Sequence, residues 1–390
     1  MGTNVLLSGD AGTNWSSIYT TINSANLILK HTPEISFTNE ATRNEVMANA
    51  YFLRAYCYFT LVRVFGDCPL LTSGFESEKQ EDMYPSRTAA SEVYAQVETD
   101  IEEALRLIPA SSKLLHKASP AAINMLRTEY YLWKAKRLGG GNAALSTAQS
   151  SVDAVLKAGY ALLPTFADIF NLNNEANSEL IWTLPYIVNE NVTPGTSPNF
   201  FAYYLAPNGD RTRLREAGYT EDEVPAGSHA QYVVPTQAYC DFLAEDARDT
   251  RTDVSVRVFE DKFLTEEVQI KRMVVKFKGS FANDTRSFDS DVPVYRLAEA
   301  YLLKAEVENA LGNTDAALQN LNVVAKRAYG VDNYYTARTQ DAIDNAIISE
   351  ILKEFVAESK AWWAYLRFNK EFELIETLKG REGEKNVTLW

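Results

Sequence analysis

The sequence predicts a mainly α fold: a helical-repeat scaffold interrupted by an irregular, partly β insertion. Three observations predict it. Apolar residues recur at spacings of three and four along residues 15–160 and 292–368, which is helical period. Between them, over residues 161–291, prolines and glycines become frequent and short alternating valine runs replace that period. The chain, 390 residues of which 46% are hydrophobic, is long enough for a substantial core. Length alone admits one large domain or two to three ordinary ones, and the scaffold with its insertion is read as a single domain over residues 1–390.

The spacing predicts a first helix over Ser16 to Lys30 and a second over Ala41 to Phe65. In the second, Val46, Ala50, Leu53, Cys57, Leu61 and Val64 share one face, and Phe52, Tyr56 and Phe59 widen it until most of the circumference is apolar. Such a helix is packed on several sides. Gly66-Asp67 followed by Pro69 stops it. Tyr94, Val97, Ile101, Leu105 and Ile108 mark a third helix, closed by Pro109. Ser119-Pro120, a cap with proline at the first helical position, opens a fourth that carries Ile123, Leu126, Tyr130 and Trp133 to Gly139-Gly140-Gly141. A fifth spans Ala143 to Lys157.

The insertion opens with a strand-like run around Trp182, read as core. Val254, Val256 and Val258 alternate, and Val268–Ile270 with Val274-Val275 suggest a hairpin partner. Residues 189–227 are loop-like, and a loop that long is uncommon unless functional. Helices resume at Val294. Leu297, Tyr301, Ala305 and Glu308 share a face, Leu311–Thr314 makes a turn with a glycine stop, and Ala317, Leu321, Val324 and Ala328 mark the next helix. This antiparallel pair resembles a tetratricopeptide repeat unit, so the scaffold is expected to be tetratricopeptide-like. A last helix is expected from Ile343 to Leu366.

Composition narrows the function. The formal net charge of −14, without a clustered Lys/Arg footprint, argues against nucleic acid as a partner. Three cysteines and three histidines exclude a disulfide framework and a histidine-rich metal site. No run approaches the length of a membrane span. There is no GxSxG, Walker or GxGxxG motif. Glu98, Asp100, Glu102 and Glu103 read as a solvated helix face and Glu221–Glu223 as a solvated loop, since adjacency does not place two carboxylates across a cleft. Asp289, Ser290 and Asp291 lack a spaced calcium loop. Aromatics, at 12% of the chain, are abundant, and they supply flat binding platforms as well as core.

Ala50-Tyr51-Phe52-Leu53-Arg54-Ala55-Tyr56-Cys57-Tyr58-Phe59-Thr60-Leu61-Val62-Arg63-Val64-Phe65-Gly66-Asp67-Cys68-Pro69-Leu70 closely resembles FLRAYYYFxLVxxFGDVPL, the signature of the SusD/RagB family of outer-membrane nutrient-binding lipoproteins. Trp15, Ser16, Ser17, Ile18 and Tyr19 with Ile22, Ala25 and Asn26 are similar to that family's preceding helix. Pro235-Thr236-Gln237 with Asp246, Ala247 and Arg248 resembles its "PT/S…D.R" segment. Residues Val294 to Glu306 resemble its late repeat helix, and Glu354, Glu358, Trp362-Trp363 and Leu366-Arg367 its final helix. Asn49, Ala361 and Ala364 depart from the pattern and read as altered packing. Family members begin with a signal peptide, a lipidated cysteine and further residues before the Trp15 helix. None is seen here, so the resemblance implies an N-terminally truncated chain.

The resemblance implies a SusD-like helical superhelix and a binding protein rather than an enzyme, without cofactor or metal. Its expected ligand is an oligosaccharide or other nutrient, and its expected partner a SusC-like TonB-dependent transporter. The expected location is the outward face of the outer membrane, with membrane contact only through a lipid anchor absent from this sequence. The insertion is expected to carry the ligand site. Phe200, Phe201, Tyr203, Tyr204 and Tyr219 are the platform candidates, because loops on rigid frames carry function; the alternative is that two of them plug the insertion onto the repeats. Asn208, Asp210 and Arg211 are candidates for hydrogen bonds to hydroxyls. Trp15 lines the same face or packs the helix start, and Tyr84 is a further candidate. Trp362 and Trp363 read as core. Two competing readings are a tetratricopeptide-type protein–protein adaptor and a helical glycoside hydrolase.

Overall fold

The computed structural model describes residues 14–77, 84–187, 234–261, 269–277, 279–282, 285–287 and 289–383. The chain divides into two compact units, Met1–Ala158 with Tyr365–Trp390, and Gly159–Ala364.

The first unit is helical: α1 (Ser16–His31), α2 (Glu40–Phe65), α3 (Ala90–Leu107), α4 (Pro120–Arg137) and α5 (Gly141–Leu156). The Asn39 side chain accepts the Ala41 N–H at 2.8 Å to start α2. Gly66, at φ 63°, ends it in a backbone conformation that a side chain would strain. α2 packs on α1 and α3, and α4 on α5. Phe52, Tyr58, Phe59 and Leu61 of α2 are each 0% exposed, consistent with a helix packed on several sides. Ser119 caps α4 by accepting the Ala122 N–H at 3.1 Å, with Pro120 in the first turn.

The expected solvated carboxylate face on α3 is instead structural at two positions. Asp100 is fully buried and receives Arg54 Nε at 2.8 Å and Nη2 at 2.6 Å. Glu98 accepts from Tyr130, Tyr131 and Lys134 at 2.9, 2.8 and 2.7 Å. Both carboxylates face partners on neighbouring helices that sequence adjacency does not reveal.

The second unit contains β1 (Leu180–Leu184), α6 (Gln237–Leu243), α7 (Thr252–Ser255), β2 (Val256–Asp261), β3 (Gln269–Val274), β4 (Ser280–Ala282), β5 (Thr285–Ser287), β6 (Val292–Arg296), α8 (Leu297–Ala310), α9 (Thr314–Tyr329) and α10 (Gln340–Glu354). β1 pairs antiparallel with β6, β2 with β3 and β4 with β5. Trp182 is buried on β1, and the β2–β3 hairpin runs in register from Val256↔Val274 to Asp261↔Gln269. Val254 belongs to α7 rather than to the strand, and Val294 to β6 rather than to the following helix. α8 and α9 form the tetratricopeptide-like pair, turning at Gly312 (φ 82°), with Ala317, Leu321, Val324 and Ala328 all buried.

The last helix is not continuous. α10 stops at Glu354, and α11 (Ala361–Phe368) leads to α12 (Glu371–Leu374). The break contains neither glycine nor proline. The Glu354 carbonyl accepts Lys276 Nζ at 2.9 Å and Arg296 Nη2 at 3.1 Å, and the Glu358 N–H turns instead to the Phe355 carbonyl at 3.0 Å. Two buried cations thus take the acceptor that the helix would have used. Trp362 and Trp363, expected as core, are half-buried.

Candidate functional site

α1 places Trp15, Tyr19, Ile22, Asn23 and Asn26 along one side, at helical spacing, opposite the chain that follows α2. Helix side chains hold that chain by its backbone. The Tyr19 hydroxyl donates to the Pro69 carbonyl at 2.7 Å. Asn23 both donates to the Phe75 carbonyl (3.2 Å) and accepts the Phe75 N–H (2.7 Å). Asn26 donates to the Leu71 carbonyl at 2.9 Å and accepts Arg54 Nη1 at 2.7 Å. The Tyr58 hydroxyl donates to the Leu71 carbonyl and accepts the Leu71 N–H, at 2.8 and 2.7 Å. Burial pushes the Tyr19 and Tyr58 phenols well above their ordinary range, so both stay neutral hydrogen-bonding groups at physiological pH.

These residues enclose a cavity of about 500 Å³ lined mainly by Trp15, Tyr19, Pro69, Leu71, Phe75 and Pro85. Trp15 stands edge-on to Phe65 (centroids 5.2 Å) and Tyr19 (5.7 Å), and the Arg87 guanidinium lies 4.9 Å from its ring. The indole is half-buried and wedged rather than swinging. Aromatic and proline surfaces dominate, while the amides and phenol largely serve the protein's own backbone. Such a surface suits the C–H face of a ring ligand and offers no nucleophile or acid–base pair.

Of the sequence candidates, Trp15 lines this cavity. Tyr84 is 97% exposed and precedes the lining residue Pro85. Phe200, Phe201, Tyr203, Tyr204, Asn208, Asp210, Arg211 and Tyr219 lie outside the described residues. The loop residues Pro69, Leu71, Phe75 and Pro85 were not foreseen as a wall, although the α1 periodicity beginning at Trp15 marks the face they oppose. Asp289 and Asp291 are engaged by Ser280 and by Thr183 with the Tyr186 N–H. Among the described residues no cluster is arranged to hold a metal ion, and no helix is long and apolar enough to cross a membrane.

Comparison with known proteins agrees at both ends of the chain. Residues 4–131 match the family model described as "Starch-binding associating with outer membrane", and residues 249–390 match the model of the SusD family. The chain belongs to the SusD/RagB family. The SusD-like protein P25 of Formosa agariphila is 25% identical over 408 residues, covering 96% of this chain and 73% of that protein. A SusD superfamily protein of Bacteroides fragilis superposes with a TM-score of 0.76 at 26% identity, covering 90% of this chain and 74% of that one. NanU of B. fragilis gives 0.73 at 26% identity, covering 91% and 76%. SusD-like proteins are outer-membrane-associated, non-catalytic carbohydrate binders. The buried Arg54 of the family signature ties α2 to α3 and α1. The acid–arginine pair expected at Asp246 and Arg248 is a surface one, with the Arg248 side chain 56% exposed; the next such pair, Asp249 and Arg251, is the buried one.

Proposed function

We propose that the chain acts as one SusD-like domain that captures neutral oligosaccharide or polysaccharide at the outward face of the outer membrane and delivers it to a SusC-like TonB-dependent transporter. The observation that carries this reading is the wedged Trp15 at the edge of an aromatic cavity, in a chain of a glycan-binding family. Stacking needs a rigid, weakly polar ring, and Trp15 has one held on two edges and by a cation. Tyr84 and the loop residues Phe200, Phe201, Tyr203, Tyr204 and Tyr219, with Asn208, Asp210 and Arg211, are proposed as further glycan contacts in their own right.

Affinity electrophoresis through gels containing starch, xylan, mannan or laminarin tests the binding. At least one neutral glycan should retard the wild type. Trp15→Ala, and separately Phe201→Ala with Tyr204→Ala, should reduce that retardation by tenfold or more in affinity, as expected when about 1–3 kcal/mol of aromatic burial is removed; the thermal midpoint should change little in the loop pair and fall in Trp15→Ala, whose ring also packs on Phe65 and Tyr19. Unretarded wild-type protein, or appearance of new reducing ends, would refute the reading. Co-purification with a SusC-like transporter tests delivery, and a chain that never associates with one would remove that part.

A further inference from the structure

The Gly159–Ala364 unit holds a second cavity, of about 880 Å³, whose described lining residues fall between Ala167 and Ser290. It shares no residue with the Trp15 cavity, and its size falls in the range of small-molecule sites, about 300–1,000 Å³. We propose that it is a second carbohydrate site, specific for a neutral sugar; the proposal rests on the reading that this chain binds glycan.

Its apolar wall is preformed. The Phe170 ring is locked edge-on between Phe166 and Phe277, with centroids at 5.3 Å on each side, and the Lys276 ammonium sits 4.6 Å from its centre. Tyr186 is half-buried nearby, its backbone N–H fixed by Asp291 at 3.1 Å. A ring held in this way loses no rotamer freedom when a sugar face settles on it.

The polar wall is oriented and mostly accepting. Thr165 donates to Asp168 at 2.6 Å, and Ser280 donates to Asp289 through both N–H and hydroxyl at 2.7 Å. Asn171 accepts the Asn173 N–H at 3.0 Å. Each carboxylate retains lone pairs beyond these bonds. The Asn173 amide and the Tyr186 hydroxyl have no partner among the described residues. Fixed acceptors beside an unengaged amide and hydroxyl match the vicinal hydroxyls of a pyranose.

Charge selects the class. Among the described residues, Asp168, Glu175, Asp253 and Asp289 line the cavity against Arg257 and Lys276, four negative groups against two positive. Lys276 is itself committed to Glu358 and to the Glu354 carbonyl. A uronate or sulfated sugar would meet net repulsion, whereas hydroxyl donors would not.

The test first identifies, by affinity electrophoresis, which of starch, xylan, mannan, laminarin, alginate and polygalacturonate retards the wild-type chain. A short oligosaccharide of the retarding glycan is then titrated calorimetrically. The wild type should take two equivalents. Asn173→Ala with Tyr186→Phe, which removes only unpartnered groups and should leave the melting curve unchanged, should weaken one class about tenfold; Trp15→Ala should remove the other. One equivalent in the wild type, lost in Trp15→Ala and untouched by the double variant, would overturn the second site and leave the glycan-binding reading standing. Binding of acidic oligosaccharides in the class sensitive to the double variant would overturn its neutral specificity. A wild type that binds none of the glycans would overturn both.

Discussion

Glu354 stands among three guanidinium groups in the interior of the second unit, and removing its charge should destabilise that unit more than most single changes. Oε1 accepts Arg296 Nη1 at 2.8 Å and also Arg327, while Oε2 accepts Arg251 Nη1 at 3.3 Å. The surrounding network sets Arg251, Arg296, Arg327 and Lys276 against Asp249, Glu179, Glu350, Glu354 and Glu358, all with side chains no more than 5% exposed, while the buried Lys353 pairs with the exposed Glu245. Burial pushes the Glu354 carboxyl up, but Arg327, Arg296 and Arg251 outweigh it and hold the group well below the usual carboxylate range. Glu354→Gln keeps the shape and removes the carboxylate that Arg296, Arg327 and Arg251 share. Breaking a buried pair in this way costs about 3–5 kcal/mol, or a fall of roughly 6–20 °C in melting temperature for a body of about 200 residues. Calorimetry at neutral pH measures it, with the exposed Glu103→Gln beside Arg106 as a control worth at most about 1 kcal/mol. Because the folded pKa is depressed, the Glu354 contribution is present above the unfolded value near 4.5 and is lost as pH falls through the folded value, so the variant should also show a flatter acid limb. A loss below about 1 kcal/mol, or an unchanged acid limb, would refute the view that these charges are mutually dependent.

Two further predictions concern pH. Burial pulls the Lys276 ammonium down to about 8 from 10.5, against the attraction of Glu358; between those values the unfolded chain holds the proton and the folded chain does not, so this group makes stability rise with pH, and Lys276→Met should abolish that rise in a pH series of melts. An identical alkaline limb in the variant would contradict the assignment. Hydrogen bonds to Glu34 and then Glu76 raise His31 above 6.5, beside Lys30, which also pairs with Glu76; its contribution is complete below 6.5 and disappears as pH rises through the folded value. Hydrogen exchange corrected for intrinsic rate should therefore show residues 73–77 loosening between pH 6 and pH 8 in the wild type and not in His31→Gln; equal behaviour of the two chains would disprove the pin.

The helices were legible because their signals are local. Asn39 and Gly66 bound α2, Ser119-Pro120 opens α4, and the apolar period between such markers fixes each buried face. The unread features depend on partners far along the chain. Asp100 looks like one member of an acidic surface row until Arg54, 46 residues earlier, meets it in the interior. The stop at Glu354 has no local breaker, since Lys276 and Arg296 make it from 78 and 58 residues away. The two acid–arginine pairs at Asp246/Arg248 and Asp249/Arg251 look alike in sequence, and only the packing of Glu350 and Glu354 around Arg251 distinguishes them. The lining of the candidate cavity divides in the same way: Trp15 begins a helical face, whereas the wall from Pro69 to Phe75 is irregular chain whose position is set by the amides of α1.

That dependence makes Asp100 a remote determinant of the proposed ligand surface. Its carboxylate fixes Arg54, Arg54 donates onward to Asn26 Oδ1, and Asn26 holds the Leu71 carbonyl at 2.9 Å and that of Ser73 at 3.3 Å. The family-signature arginine thus connects the helix interface to the floor of the Trp15 cavity without touching a ligand there. Asp100→Asn removes the charge that balances Arg54, at a cost of about 3 kcal/mol, and frees the guanidinium to pull away from Asn26. The variant should lose both stability and glycan affinity through the Arg54 relay, whereas Trp15→Ala should lose affinity through its own ring contact. Titration at a temperature where both variants are fully folded separates the effects. If Asp100→Asn then binds as tightly as the wild type, the cavity floor is set by α1 and Tyr58 without help from the signature arginine. If affinity falls with the fold intact, the buried ion pair serves the binding surface as well as the scaffold, which would account for a charged pair where apolar side chains would pack at least as stably.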